Sequence, residues 1–154
     1  MKTTNHRMRM VTRPAYAVLD GALRDARTYC NPYLTPEHVL FQMETEGIFS
    51  ASLEKRALGQ SYFRDRLGLF LSSLTSWTGT DEAVRMSDSL ETALDDAVLA
   101  AGDREDIPID IPHLLFGIAG IKDSLAGYLL RKNPEVLEDF GVILFDSYQW
   151  LDKT

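Results

Sequence analysis

The same short pattern occurs twice in this chain of 154 residues. The first copy is TPEHVLFQM, at Thr35–Met43, and the second is DIPHLLFGI, at Asp110–Ile118, 75 residues further on. Each copy has a helix-capping residue, a proline in the first helical turn, a histidine and a Leu-Phe step. Three interpretations are open: a pair of metal ligands, a catalytic pair, or an internal duplication.

The segments around the two copies favour a duplication. Upstream of the pattern, two helical segments match at an offset of 71 residues, and from the pattern onward the offset is 75. The change of offset predicts four extra residues in the polar loop GDREDIPID of the second half. The matches are Leu19 with Leu90, Ala22 with Ala93, Leu23 with Leu94, Asp25 with Asp96 and Ala26 with Ala97 upstream, and His38 with His113, Leu40 with Leu115, Phe41 with Phe116, Ala51 with Ala126 and Arg56 with Arg131 downstream.

Apolar residues recur with a helical period nearly throughout the chain, and no segment alternates with the period of two that is typical of strands. We therefore predict an all-α fold without a sheet: a pseudo-two-fold bundle of two four-helix repeats, with about eight helices. Local signals add details to this prediction. The third helix is capped by Ser50 and ends at Gly59, the fifth begins at a capping box of Asp88 and Glu91, and the eighth is capped by Asn133 and continues through Phe140, Ile143 and Leu144.

Composition shifts divide the chain into a basic arm, a double repeat and a tail. The arm covers residues 1–13 and carries Lys2, Arg7, Arg9 and Arg13. The double repeat covers residues 14–147, with repeat one at about 14–75, a linker at 76–86 around Gly79, and repeat two at about 87–147. The tail covers residues 148–154.

Charge and cysteine content exclude several classes of function. The formal net charge is -7, so the chain lacks the excess of cations that drives binding to nucleic acid, and we expect none. There is one cysteine, Cys30, which fits a reducing compartment. No apolar run is long enough to span a membrane or to form a signal peptide, so we expect a cytoplasmic protein without a membrane partner.

Taken together, the order and the duplication of these motifs resemble a known family, the N-terminal domain of the Clp-type unfoldases with its double Clp repeat. The family pattern is an Ala-rich helix, a Thr-x-Glu-His-Leu-Leu-like step and an Ala-x-x-Leu-Leu-like helix, all repeated. Here it reads ALRDARTYCNPYLTPEHVLFQM and then LETALDDAVLAAG followed by DIPHLLFGI. The resemblance covers about Ala15–Phe145, and LAGYLLRKN, at Leu125–Asn133, is similar to the ClpA branch.

The resemblance implies a domain that docks adaptors and substrates for an ATP-driven unfoldase, with a ClpS-like adaptor in the ClpA branch. The chain has no Gly-x-x-x-x-Gly-Lys-Ser/Thr loop, so we expect no ATP binding, no cofactor and no catalysis in this polypeptide. In relatives that bind phosphoarginine, the Glu of each Thr-Glu-His step helps to form the site. Glu37 is present in repeat one, but Pro112 stands at the matching position, so we do not expect phosphoarginine recognition.

Several residues have both a functional and a structural interpretation. A metal site needs three or four ligands, so His38 and His113 are better explained as first-turn histidines that hydrogen-bond nearby backbone. Cys30 with His38 as its base is a weak nucleophile candidate, because a cysteine on an apolar helix face usually packs as a small hydrophobic residue. The candidate partner-binding residues are Glu37, Trp77, Tyr148 and Trp150, since aromatic side chains are frequent interface anchors.

Three functions compete at this stage. The first is a non-catalytic module that docks an adaptor, a substrate or a Clp ATPase ring. The second is a free-standing regulator that competes for the adaptors of another Clp machine. The third, from a different class, is a small helical metal-binding protein or enzyme.

Overall fold

The computed structural model of the chain describes residues 10–74, 76, 83–102 and 106–143. Within these residues the chain forms eight helices and two very short strands. The helices are α1 Arg13–Thr28, α2 Pro36–Thr45, α3 Ser50–Lys55, α4 Tyr62–Ser72, α5 Asp88–Ala101, α6 Ile111–Ala119, α7 Leu125–Lys132 and α8 Pro134–Asp139, and the strands are β1 Tyr33–Leu34 and β2 Arg85–Met86.

The prediction of an all-α fold is confirmed. Helices α1–α4 form the first half and α5–α8 the second, and one hydrophobic core runs through both. Helix α2 lies at the centre, because it packs against α1 and α4 of its own half and against α5 and α7 of the other. Five helices begin at residues whose side chains accept a backbone N–H of the first turn, which satisfies a donor that the helix itself leaves unpaired. These N-caps are Thr12, Thr35, Ser87, Asp110 and Ser124.

The prediction that the chain has no sheet is wrong in one detail. Strand β1 pairs in parallel with β2, and a second parallel bridge joins Val11 to Ile109. Each pairing joins the segment before the first helix of one half to the segment before the second helix of the other half. Two-residue strands are too short to show alternation, which explains why the sequence did not reveal them. They also give regular structure to residues that were predicted to lie in the arm and in the linker.

The predicted change of offset is also wrong, because the halves superpose in sequence at 75 residues from the start. The same number of residues separates the caps Thr12 and Thr35 as separates Ser87 and Asp110, so the second loop has no insertion. An offset of 71 differs from 75 by about one helical turn, so it also places apolar residues on apolar residues. The buried pairs are Ala15 with Leu90, Val18 with Ala93, Ala22 with Ala97 and Ala26 with Ala101.

Two of the downstream matches are not structurally equivalent. Ala51 is exposed on α3, whereas Ala126 is fully buried in α7. Arg56 pairs with Asp139, whereas Arg131 donates to the backbone carbonyls of Ala119 and Ile121. The sequence repeat therefore extends through the second helix of each half but not in register through the third.

Several predicted helix boundaries need correction. Ser50 is the first residue of α3 rather than its cap, and the helix ends at Lys55, before Gly59. Ser87, not Asp88, caps α5, and its hydroxyl accepts from the backbone N–H of Leu90. These shifts of one or a few residues are the usual uncertainty of helix ends.

The eighth helix is shorter than predicted. The amide of Asn133 donates to Leu129 O and Tyr62 Oη instead of accepting from the first turn of α8. Helix α8 ends at Asp139, and Gly141 follows with a φ of +77°, a conformation that favours glycine. Ile143 thus lies outside the helix, and Leu144 lies outside the described residues.

Candidate functional site

His38 and His113 occupy the same structural position in the two halves. The Nδ1 atom of His38 accepts the backbone N–H of Thr35 at 3.1 Å, and that of His113 accepts the backbone N–H of Asp110 at 2.9 Å. Each histidine thereby takes the place of the acidic residue in a capping box. The interpretation of these histidines as first-turn hydrogen-bonding residues is confirmed.

The His38 ring is held in one neutral form. Because Nδ1 accepts a backbone N–H, the proton of the neutral ring lies on Nε2, which contacts Asn31 Oδ1 at 3.0 Å. Burial lowers the pKa of His38 further, against a smaller opposing effect of Glu37. With both ring nitrogens engaged, His38 is not placed to act as a base for Cys30 or as a metal ligand.

Cys30 lies beyond the end of α1 and not on its apolar face. Its side chain is exposed and its backbone φ is +55°, so the prediction of a packed, hydrophobic cysteine is wrong. In the part of the chain that the structure describes, no three histidine, cysteine or acidic side chains are grouped closely enough to hold a metal ion.

A groove opens beside His38 in the first half. We call it groove one; it has a volume of about 440 Å³ and lies between the end of α1, the exposed side of α2 and the second half of α4. Its apolar lining comes from aromatic and leucine side chains, and its polar lining includes one carboxylate. The residues that line it are Asp25, Tyr29, Asn31, His38, Phe41, Gly68, Leu71, Ser72, Leu74 and Ser76.

An equivalent groove lies beside His113 in the second half. This groove two has a volume of about 360 Å³, and the segment after α8 takes the place that α4 has in groove one. His113 and Phe116 are the counterparts of His38 and Phe41. The residues that line it are Ala100, Pro112, His113, Phe116, Gly141, Val142 and Ile143.

Glu37 lies between the halves and is 4% exposed. Its Oε2 atom accepts from Ser124 Oγ at 2.8 Å and from the backbone N–H of Ala126 at 3.0 Å. A carboxylate at the N-terminus of α7 is also favoured by the helix dipole. In this arrangement Glu37 fixes the position of α7 against α2 and does not reach the surface as a contact residue.

The other candidate residues are not brought together with Glu37. Trp77, Tyr148 and Trp150 lie outside the described residues. Sequence reasoning missed Asp25, Leu71 and Leu74 as lining residues, because their spacing was read only as part of helix faces. The repeat itself was the signal that could have pointed to Phe41 and Phe116, since both follow the repeated histidine at the same distance.

Two buried polar side chains of α2 have an atom without a partner. These atoms are Gln42 Oε1 and Glu44 Oε1, and each side chain is less than a tenth exposed. Burial raises the pKa of Glu44 from its usual 4.5 to about 7, opposed by the charge of Arg64 and assisted by that of Asp65. A helix that keeps such groups inside is under constraint beyond packing, because an unpaired buried polar atom costs stability.

The sequence of the described bundle matches a family model, the Clp repeat (R) N-terminal domain, over residues 10–133. The match spans both copies of the pattern. The chain belongs to the Clp repeat N-terminal domain family. Clp repeat N-domains are the non-catalytic, substrate-binding domains of Clp ATPases.

Individual relatives agree with this assignment. The chain is 27% identical over 130 residues to the chaperone protein ClpB of Bdellovibrio bacteriovorus, which covers 83% of the chain but 15% of that protein. It therefore spans a small part of the length of the curated relative that it matches.

Solved structures show the same fold. The Hsp104 N-terminal domain of Candida albicans superposes with a TM-score of 0.73 at 15% identity, covering 86% of this chain and 92% of that one. The N-terminal domain of the ClpV1 ATPase of E. coli superposes with a TM-score of 0.64 at 17% identity, covering 88% and 91%. Among the described residues, no helix of this Clp N-domain is both long and apolar enough to cross a membrane.

Proposed function

We propose that this Clp N-domain is a docking module that holds segments of adaptor or substrate proteins in groove one, for regulated proteolysis by a Clp unfoldase. Groove one is the observation that supports the proposal, because it is an open concave surface with apolar walls and a few polar groups, the usual form of a recognition site. Clp N-domains bind protein partners, for example a peptide from the SciI protein.

The finer assignments made from the sequence belong to the same proposal. The segment Leu125–Asn133 supports the ClpA branch and hence a ClpS-like adaptor as one partner, with substrate proteins and the Clp ATPase ring as others. The single cysteine supports a cytoplasmic site of action. We propose these assignments together, since a ClpA-type module acts where its adaptor and its protease are present.

Trp77, Tyr148 and Trp150 remain our proposed aromatic anchors. Trp77 directly follows Ser76, which lines groove one, and the other two come shortly after Ile143, which lines groove two. Glu37 contributes differently, by holding α7 and therefore the relative position of the two halves.

The test compares two leucines of α4. Leu71 lines groove one, whereas Leu69, two residues away on the same helix, is 77% exposed and lines neither groove. An array of short peptides is probed with the wild type, Leu71→Asn and Leu69→Asn, and the best binders are measured in solution by fluorescence anisotropy. We expect Leu71→Asn to weaken binding and Leu69→Asn to leave it unchanged. Equal binding by all three proteins, or no binding by the wild type, would refute groove one as the docking site.

A further inference from the structure

The charge inside groove one comes from a single group. His38 is neutral in the tautomer described above, and the remaining polar lining consists of the phenol of Tyr29, the amide of Asn31 and serine hydroxyls. No lysine or arginine lines the groove. Asp25 therefore gives an otherwise apolar and uncharged surface one negative charge.

Asp25 is only weakly satisfied by its surroundings. The Nε2 atom of Gln42 approaches Asp25 Oδ2 at 3.5 Å, at the limit of a hydrogen bond. Its neighbour Arg24 pairs with Asp20 instead, and none of the ion pairs among the described residues involves Asp25. Partial burial raises the pKa of Asp25, with Arg24 opposing it, which agrees with a carboxylate that has lost water without gaining a cation.

Groove two provides the internal comparison. At the offset of 75 residues, the position of Asp25 is taken by Ala100, which lines groove two. The histidine and the phenylalanine of the pattern line both grooves. The carboxylate is thus the main chemical difference between two surfaces that otherwise have the same origin.

We infer that groove one selects segments in which a lysine or arginine side chain stands between apolar residues, with Asp25 as its counter-ion. This inference rests on the proposed docking function and specifies the chemistry of the partner. The apolar neighbours cover Phe41 and Leu71, while the cation reaches the carboxylate. A charge pair in a partly desolvated groove adds selectivity, because a neutral side chain leaves the carboxylate unpaired. The net charge of -7 also attracts basic segments at long range.

The experiment uses fluorescein-labelled Gly-Ser-Leu-Lys-Leu-Ser-Gly and the same peptide with norleucine in place of lysine. Norleucine keeps the aliphatic chain and removes the charge. Fluorescence anisotropy at low salt gives the affinity of each peptide for the full chain. We expect the lysine peptide to bind roughly tenfold more tightly than the norleucine peptide, and to lose that advantage as salt is added.

Three variants assign the effect to groove one. Asp25→Asn should bring the two affinities to within about twofold of one another, since the hydrogen-bonding amide remains but the charge is gone. Asp88→Asn makes the same change at an exposed position that lines neither groove, so it should keep the preference. Ala100→Asp, at the equivalent site of groove two, should increase binding of the lysine peptide.

The outcomes separate the two proposals. Equal binding of both peptides to the wild type, or a lysine preference that persists in Asp25→Asn, would overturn the inference while leaving the docking function intact. If neither peptide binds the wild type and the peptide array is also blank, both proposals fail together.

Discussion

The two halves of this Clp N-domain have the same helix order but bury different side chains. In the first half, six polar or charged side chains are buried, and four of them lie in α2. In the second half, Ser124 alone is buried among the described polar side chains, and α6 is apolar along its inner face. The buried polar residues of the first half are Asn31, Glu37, His38, Gln42, Glu44 and Ser52.

The contrast also appears in how the paired helices approach each other. In the second half, Gly117 of α6 faces the backbone of Ala93 so closely that a Cβ atom would overlap its carbonyl group. In the first half, Gln42 stands at the position of Gly117, and Gly21 of α1 makes room for its side chain. One copy has thus evolved toward close backbone packing, and the other has kept polar groups next to the groove with the carboxylate.

The largest expected effect breaks the close packing of the second half. Gly117→Ala should lower the free energy of unfolding by about 3 kcal/mol, because the new methyl group meets backbone that cannot yield. Gly21→Ala should cost less, since its neighbour is the end of a flexible glutamine side chain. Urea unfolding followed by circular dichroism measures both, with Gly120→Ala, whose Cβ would make only ordinary contacts, as the control. Equal losses for all three variants would contradict this account.

The next prediction concerns the buried carboxylate of Glu44. Because its pKa is raised from 4.5 to about 7, the folded state binds this proton more tightly than the unfolded state does. The stability that Glu44 contributes is therefore present below pH 4.5 and lost as the pH rises to about 7. Relative to Glu44→Gln, the wild type should lose about 2 kcal/mol of unfolding free energy between pH 5 and pH 8. Parallel pH profiles of the two proteins would disprove the shift.

A third change tests the contact that Glu37 makes between the halves. Glu37→Ala removes the acceptor of Ser124 Oγ and of the Ala126 N–H, and should cost about 2 kcal/mol because both buried donors lose a charged partner. Glu37→Gln keeps an acceptor oxygen and should cost less. A double-mutant cycle with Ser124→Ala measures the coupling, and additive effects would mean that the contact contributes nothing.

The smallest expected difference compares the two capping histidines. His38→Ala and His113→Ala each remove the acceptor of an N-cap N–H, but His38→Ala also leaves buried Asn31 without its partner. We expect His38→Ala to cost about 1 kcal/mol more than His113→Ala. Thermal unfolding of the two variants checks the order, and the reverse order would show that the first-half network is dispensable.

The sequence predicted the features that depend on local pattern. The capped starts at Thr35 and Asp110 and the helical nature of nearly every segment follow from side chains within one turn of each other. The offset of 71 failed because α1 and α5 are rich in alanine and leucine on several faces, so a shift of one turn keeps apolar residues aligned.

The candidate site depended on contacts that local pattern does not contain. Glu37 was ambiguous because its partners, Ser124 and Ala126, belong to the other half and are 87 and 89 residues away. Groove one combines the end of α1 with α4, and Leu71 has the same spacing in sequence as a core residue. Only the packing of α4 leaves it partly uncovered.

The crossed pairing of the short strands has a consequence for the origin of the molecule. Val11 hydrogen-bonds beside Ile109, and Leu34 pairs with Met86, so each repeat completes the backbone of the other. A solitary repeat would leave both of its extended segments without a complement, and a second identical copy would supply them by two-fold exchange. The single chain thus has the geometry of an ancestral homodimer whose subunits traded segments before a gene fusion made the trade permanent.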